Sequence, residues 1–167
     1  MDHLLFLVAL AATYQAGRWR DTGWVISAFT VGHSVTLALA ATHVVRLPER
    51  AVELLIPLTI VATGLHNLRD RTGPSHPGRR SLLAGGFGLV HGAGFASYLE
   101  RMFDGPVVLP LLGFNLGIEL GQIAVLAVIA GVLTLADRVV TLPARATAVS
   151  AAVVVAAAGM ALGRLPW

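Results

Sequence analysis

A chain of 167 residues that is 56% hydrophobic and only 13% charged, with a mean hydropathy of +0.76, lies outside the range of a soluble domain and reads as an integral membrane protein. Its net charge of +3 comes from twelve arginines, with no lysine, against nine acids; no basic run is interleaved with aromatics, so no nucleic-acid partner is expected. Cysteine is absent, which excludes a disulfide framework and a thiolate metal site and leaves imidazole, carboxylate, amide or water as ligands for any ion.

Apolar runs long enough to cross roughly 30 Å of hydrocarbon at about 1.5 Å per residue fall at about 3–17, 24–45, 51–68, 81–99, 108–136 and 144–163. The expected fold is an all-α polytopic bundle of about six transmembrane helices, forming one domain over residues 1–167. The first segment opens on Asp2 and His3 and ends at Gly17-Arg18-Trp19-Arg20-Asp21. With Arg18 and Trp19 at the inner interface, His3 stands only about 22 Å above it, which places Asp2 and His3 in an outward-facing vestibule. The second segment groups Thr30, His33 and Ser34 and closes at Arg46-Leu47-Pro48-Glu49-Arg50. In the third, Glu53 lies near the outer end and His66 with Asn67 near the inner end, all read as interfacial polar groups. His43 and His76 read as loop or interface residues, and Arg69 to Arg80 as a solvated stretch that fixes topology.

The fourth segment sets Gly85, Gly88 and Gly92 beside His91. In the fifth, Gly113, Gly117 and Gly121 recur every four residues, while Asn115, Glu119 and Gln122 fall on the roughly opposite face at about 100° per residue. Such a glycine face suits close packing against another helix, within the chain or in a homo-oligomer, with plain packing the preferred reading. The other face presents a carboxylate flanked by two amides.

Depth relates these groups. His33 lies about nine residues from Trp24, His91 about ten from Ser81 and Glu119 about ten from Leu109, which sets all three near the bilayer midplane. An ionisable group there costs about 2.5 to 3.5 kcal/mol on insertion scales and ordinarily faces a bundle interior, a water-filled cavity or another such group. One histidine alone reads equally well as hydrogen-bonded helix glue; three ionisable groups at one depth favour a functional site. His33, His91 and Glu119 are ligands suited to divalent nickel, cobalt or zinc, with Asp2 and His3 to complete or feed the site and Thr30, Ser34, Asn115 and Gln122 as supporting polar groups.

Orientation follows from the arginines, because basic residues in short loops stay cytoplasmic. Arg18, Arg20, Arg69, Arg71, Arg79, Arg80, Arg138 and Arg145 follow the odd-numbered segments, against Arg46, Arg50, Arg101 and Arg164 on the other side, so both termini are expected outside the cytoplasm. An N-out chain ordinarily arrives with a cleaved signal peptide; Met1 is followed by neither a charged n-region nor a cleavage site, which leaves room for residues upstream.

Asp2-His3-Leu4-Leu5-Phe6-Leu7, Phe29-Thr30-Val31-Gly32-His33-Ser34-Val35-Thr36-Leu37, Gly88-Leu89-Val90-His91-Gly92-Ala93-Gly94-Phe95-Ala96 and Phe114-Asn115-Leu116-Gly117-Ile118-Glu119-Leu120-Gly121-Gln122 together resemble the motifs of the HupE/UreJ family of membrane proteins. That resemblance implies a six-helix protein of the bacterial inner membrane and permeation of a divalent metal, nickel or cobalt above all. The better-studied branch carries His-x5-Asp-His near its N-terminus, of which Asp2 and His3 stand here, and Phe-His-Gly-x-Val-His-Gly-x-Glu in its fourth helix. Here Val90-His91-Gly92 match, while Phe87 and Gly94 occupy the positions of the first His and the Glu, so the chain resembles the second, less characterised branch.

Transport of a divalent metal as substrate, with the lipid bilayer as surroundings, is the favoured function. The alternatives are an intramembrane zinc-dependent hydrolase, with three protein ligands and an open position that activates water, and a proton-relay protein built on the histidines. No Gly-x4-Gly-Lys-Ser/Thr motif is present to supply ATP as an energy source, and no Gly-x-Ser-Gly motif to supply a serine nucleophile.

Overall fold

The computed structural model describes residues 2–42, 44–45, 48–70, 77–102 and 108–165. The readings placed on His43, Arg46, Arg71 and His76 lie outside the described residues. Among the described residues six α-helices follow one another: α1 Asp2–Ala11, α2 Trp19–Ala41, α3 Glu49–Arg69, α4 Pro77–Met102, α5 Val108–Ala136 and α6 Leu142–Leu162, with a 3-10 turn at Ala16–Arg18 leading into α2. Four stretches among the described residues are long and apolar enough to cross a membrane: Ala16–Ala40, Glu49–Arg69, Leu109–Ala136 and Leu142–Leu162. α4 has the length, but its glycines, His91 and paired Arg79 and Arg80 make it less apolar.

α1 departs most from expectation. A single segment over 3–17 is replaced by ten helical residues, which rise about 15 Å, or half the hydrocarbon core. Carbonyls at and just beyond its end accept from side chains of other helices, which reduces the need for further turns to satisfy them. Asn67 Nδ2 donates to the Ala9 carbonyl at 2.7 Å, and the Arg145 guanidinium donates to the carbonyls of Ala12 at 3.2 Å and Tyr14 at 2.7 Å. Trp19 and Asp21, expected in the loop, instead open α2, with Arg18 paired to Asp21 at 2.7 Å.

α1 lies between the other helices and touches α2, α3, α5 and α6. Phe6, Ala9 and Leu10 pack against Val25 and Phe29 of α2, Ile60 of α3, Ala84 of α4 and Val153 and Ala157 of α6. Its other side, Leu7 and Ala11, meets Leu126 and Leu133 of α5. Asp2 is held at 2.6 Å by Arg164, which also donates to the Glu53 carbonyl, so the start of α1, the start of α3 and the end of α6 share one end of the bundle.

The glycine patterns divide. On α4 and α2 they bring two backbones together: a Cβ at Gly88 would run into the Phe29 carbonyl, one at Gly92 into the His33 carbonyl and one at Gly32 into the Gly85 carbonyl. Gly113, Gly117 and Gly121 behave differently, for nothing lies within 4 Å of where their Cβ atoms would stand. The expected packing of that stripe is therefore not used within the described chain, because α5 turns its opposite side, Gln122, Leu126 and Leu133, to α1.

Candidate functional site

His3 of α1, His33 of α2 and His91 of α4 come together in the interior. The His3 ring centroid lies 5.4 Å from that of His33 and 5.7 Å from that of His91. Phenylalanines enclose them: Phe6 stands 4.6 Å from His91, Phe29 5.3 Å from His3, and Phe95 5.6 Å from His33 and 5.9 Å from His3. His33 is fully buried and His91 is 2% exposed. The α2 and α4 glycines make this possible, since only bare backbone lets Gly92 sit on the His33 main chain while both rings turn toward α1.

Each histidine has a different set of partners. His91 Nε2 lies 3.1 Å from Thr59 Oγ1 of α3, a residue the sequence did not single out. His3 Nε2 lies 2.6 Å from the side-chain amide of Gln122, whose other end bonds Thr30 Oγ1 at 3.0 Å. Among the described residues His33 has no hydrogen-bond partner at either ring nitrogen, and His3 has none at Nδ1. A buried polar group in that state costs roughly 1 to 3 kcal/mol, so the protein carries a penalty here.

The remaining expected site residues are distributed around this centre. Asp2 is bound to Arg164 at the end of the bundle. Ser34 accepts from Asn115 Nδ2 at 2.7 Å, tying α2 to α5 beyond the histidines. Glu119 lines a groove of about 230 Å³ between α2 and α5, with Ser27, Thr30 and Gln122 among its walls. Gln122 therefore stands between the Glu119 groove and His3, with Thr30 touching both sides.

A tetrahedral ion holding two imidazoles at about 2.1 Å sets their ring centroids roughly 5 Å apart, close to the spacings about His3. The ring nitrogens are not aimed at one point: as the side chains stand, no three His, Cys, Asp or Glu groups among the described residues converge to hold a single ion. Holding one requires the rings to turn about χ1 and χ2, and the free nitrogens of His3 and His33 are the ones that no hydrogen bond restrains.

Below the aromatic layer the polar groups are structural. Asn67, expected near the interface, is 1% exposed and bridges the Ala9 carbonyl and Arg80. Arg80, expected in a solvated stretch, donates to Thr13 Oγ1 at 2.8 Å and Asn67 Oδ1 at 3.1 Å and walls a cleft of about 330 Å³. Arg145, expected as a loop charge, is 4% exposed and paired with Asp137 at 2.6 Å. The physical reason is common to all three: the broken end of α1 leaves carbonyls and a hydroxyl to which donors from neighbouring helices bond. His66, near the end of α3, faces Asp70 at 3.5 Å.

Over residues 1–164 the chain matches the family described as HupE/UreJ protein. No curated protein and no solved structure gives a match.

Proposed function

Because the chain belongs to the HupE/UreJ family, whose members are generally membrane transporters of nickel or cobalt, we propose that it is a permease for a divalent transition metal, nickel or cobalt and with zinc as a further candidate, and that the ion passes through the histidine centre. The observation that carries this reading is His33. A fully buried imidazole with neither nitrogen engaged, beside two more imidazoles, is a costly arrangement that a transient ligand would relieve. Borderline divalent ions favour imidazole nitrogen, and the absence of thiolate keeps binding weak enough for release.

His33, His91 and His3 act as the ligands in this reading. Asp2, beside His3, draws the cation to the outer end, and Glu119 offers it a carboxylate in the groove beyond Gln122. The protein lies in the bacterial inner membrane with six helices in the bilayer and both termini outside the cytoplasm. α1 supplies half a span, and the non-helical backbone that follows it is tolerated because donors from other helices bond its carbonyls. Uptake of radiolabelled nickel, cobalt and zinc into proteoliposomes tests the assignment: the double variant His33→Ala, His91→Ala is expected to reduce uptake at least tenfold, and unchanged uptake ends the proposal.

A further inference from the structure

We infer that Thr59 and Gln122 are positioning residues that fix the tautomers of His91 and His3, so that each ring carries its proton on Nε2 and keeps its lone pair on Nδ1. The tautomer assignment stands on the geometry alone; its use in binding an ion rests on the permease reading above.

The Thr59 step is an accounting of one proton. A threonine hydroxyl has one hydrogen and two lone pairs. Thr59 Oγ1 donates to the Ile56 carbonyl at 2.7 Å, the shorter of its two contacts, so at 3.1 Å from His91 Nε2 it is left only to accept. His91 must then donate from Nε2, and in a neutral imidazole the lone pair falls on Nδ1.

The Gln122 step turns on which end of its amide faces His3. If the NH2 group faced the ring, Nε2 would accept and the proton would sit on Nδ1, which is buried and has no partner. An orphaned buried N–H is rarer and costlier than an orphaned lone pair. With the amide turned the other way, the carbonyl oxygen accepts from Nε2–H and the NH2 donates to Thr30 Oγ1, so both contacts are satisfied. The separation of 2.6 Å also suits an oxygen acceptor better than a nitrogen one. Two different helices, α3 and α5, thus impose the same tautomer on two facing rings. Outer partners of this kind orient metal-binding histidines, and their loss typically costs 10- to 100-fold in metal affinity.

The test begins with the metal-free protein, 15N-labelled at histidine and reconstituted in lipid nanodiscs, because protonated and bare ring nitrogens resonate far apart. The inference expects Nε2–H for both His91 and His3 in the wild type. Thr59→Val should release the His91 preference and Thr59→Ser should keep it. Gln122→Leu should release the His3 preference, and Gln122→Glu, which can only accept, should keep it. An Nδ1–H tautomer at either ring in the wild type, or loss of the His3 preference in Gln122→Glu, overturns the inference for that residue. Cobalt(II) titration followed by its visible absorption then reads the consequence: Thr59→Val and Gln122→Leu should weaken binding 10- to 100-fold while Thr59→Ser stays within about threefold of wild type. Affinity unchanged in the tautomer-released variants overturns the positioning role. A wild type with both tautomers as assigned but no cobalt absorption upholds the assignment and overturns the metal site instead.

Discussion

At the scale of single residues, the histidine centre trades stability for an unoccupied imidazole. His33 gains no hydrogen bond from burial, so replacing it with Leu, close in volume and without polar atoms, should leave the fold as stable or raise its stability by about 1 kcal/mol. The same substitution should abolish cobalt absorption, and thermal unfolding in detergent beside the titration separates the two effects; a large loss of stability would mark His33 as structural. His33 and His91 were legible in the sequence because an ionisable group inside an apolar run is conspicuous. Thr59 was not, since a threonine in an apolar helix ordinarily bonds its own backbone, as it also does here to Ile56. Glu119 shows the limit of reasoning from depth: counting residues fixes height along an axis but not rotation about it. Three residues separate it from Gln122, about 60° round the helix, which is the difference between a wall of the α2–α5 groove and a partner of His3.

At the scale of elements, helix boundaries followed the apolar runs except where tertiary partners replaced a helix's own hydrogen bonds. The end of α1 is one such place, and Pro57 inside α3 is another. Proline at 57 has no N–H to give the carbonyl four residues back, which is that of Glu53. Arg164, from beyond the end of α6, donates to that carbonyl at 2.7 Å. No sequence pattern announces such a pairing, because residues 53 and 164 are brought together only by the packing of α3 on α6. The pairing makes a double-mutant cycle informative. Arg164→Met should destabilise the protein by about 1 kcal/mol, near the range for polar contacts between membrane helices. In a Pro57→Ala background, where residue 57 regains its N–H and the carbonyl its helical partner, most of that cost should vanish, leaving only the partly exposed pair with Asp2. Additive effects in unfolding from mixed micelles would show that the arginine does not serve the broken helix.

At the scale of the whole molecule, α1 gathers the bundle, and its two ends tell the ends of the protein apart. Arg18, Arg80 and Arg145 collect where α1 stops, together with Thr13 and Asp137, while Asp2, Glu49 and Arg164 mark the opposite end. Two of the arginines that set the charge bias are tied down by hydrogen bonds about the end of α1, yet they remain at the end the bias assigns to the cytoplasm, so packing and topology act in the same direction. Because the chain contains no cysteine, single cysteines can be introduced without a background. With both termini outside, Glu49→Cys at the start of α3 should react with a membrane-impermeant maleimide in intact cells. Thr141→Cys, exposed between α5 and α6, should react only after permeabilisation. The reverse pattern would invert the protein and direct the Asp2 and His3 end of the path to the cytoplasm. Labelling of both positions from one side would mean that an even number of crossings separates them, and that α4, the one of the three intervening helices that falls short in apolarity, does not span the membrane.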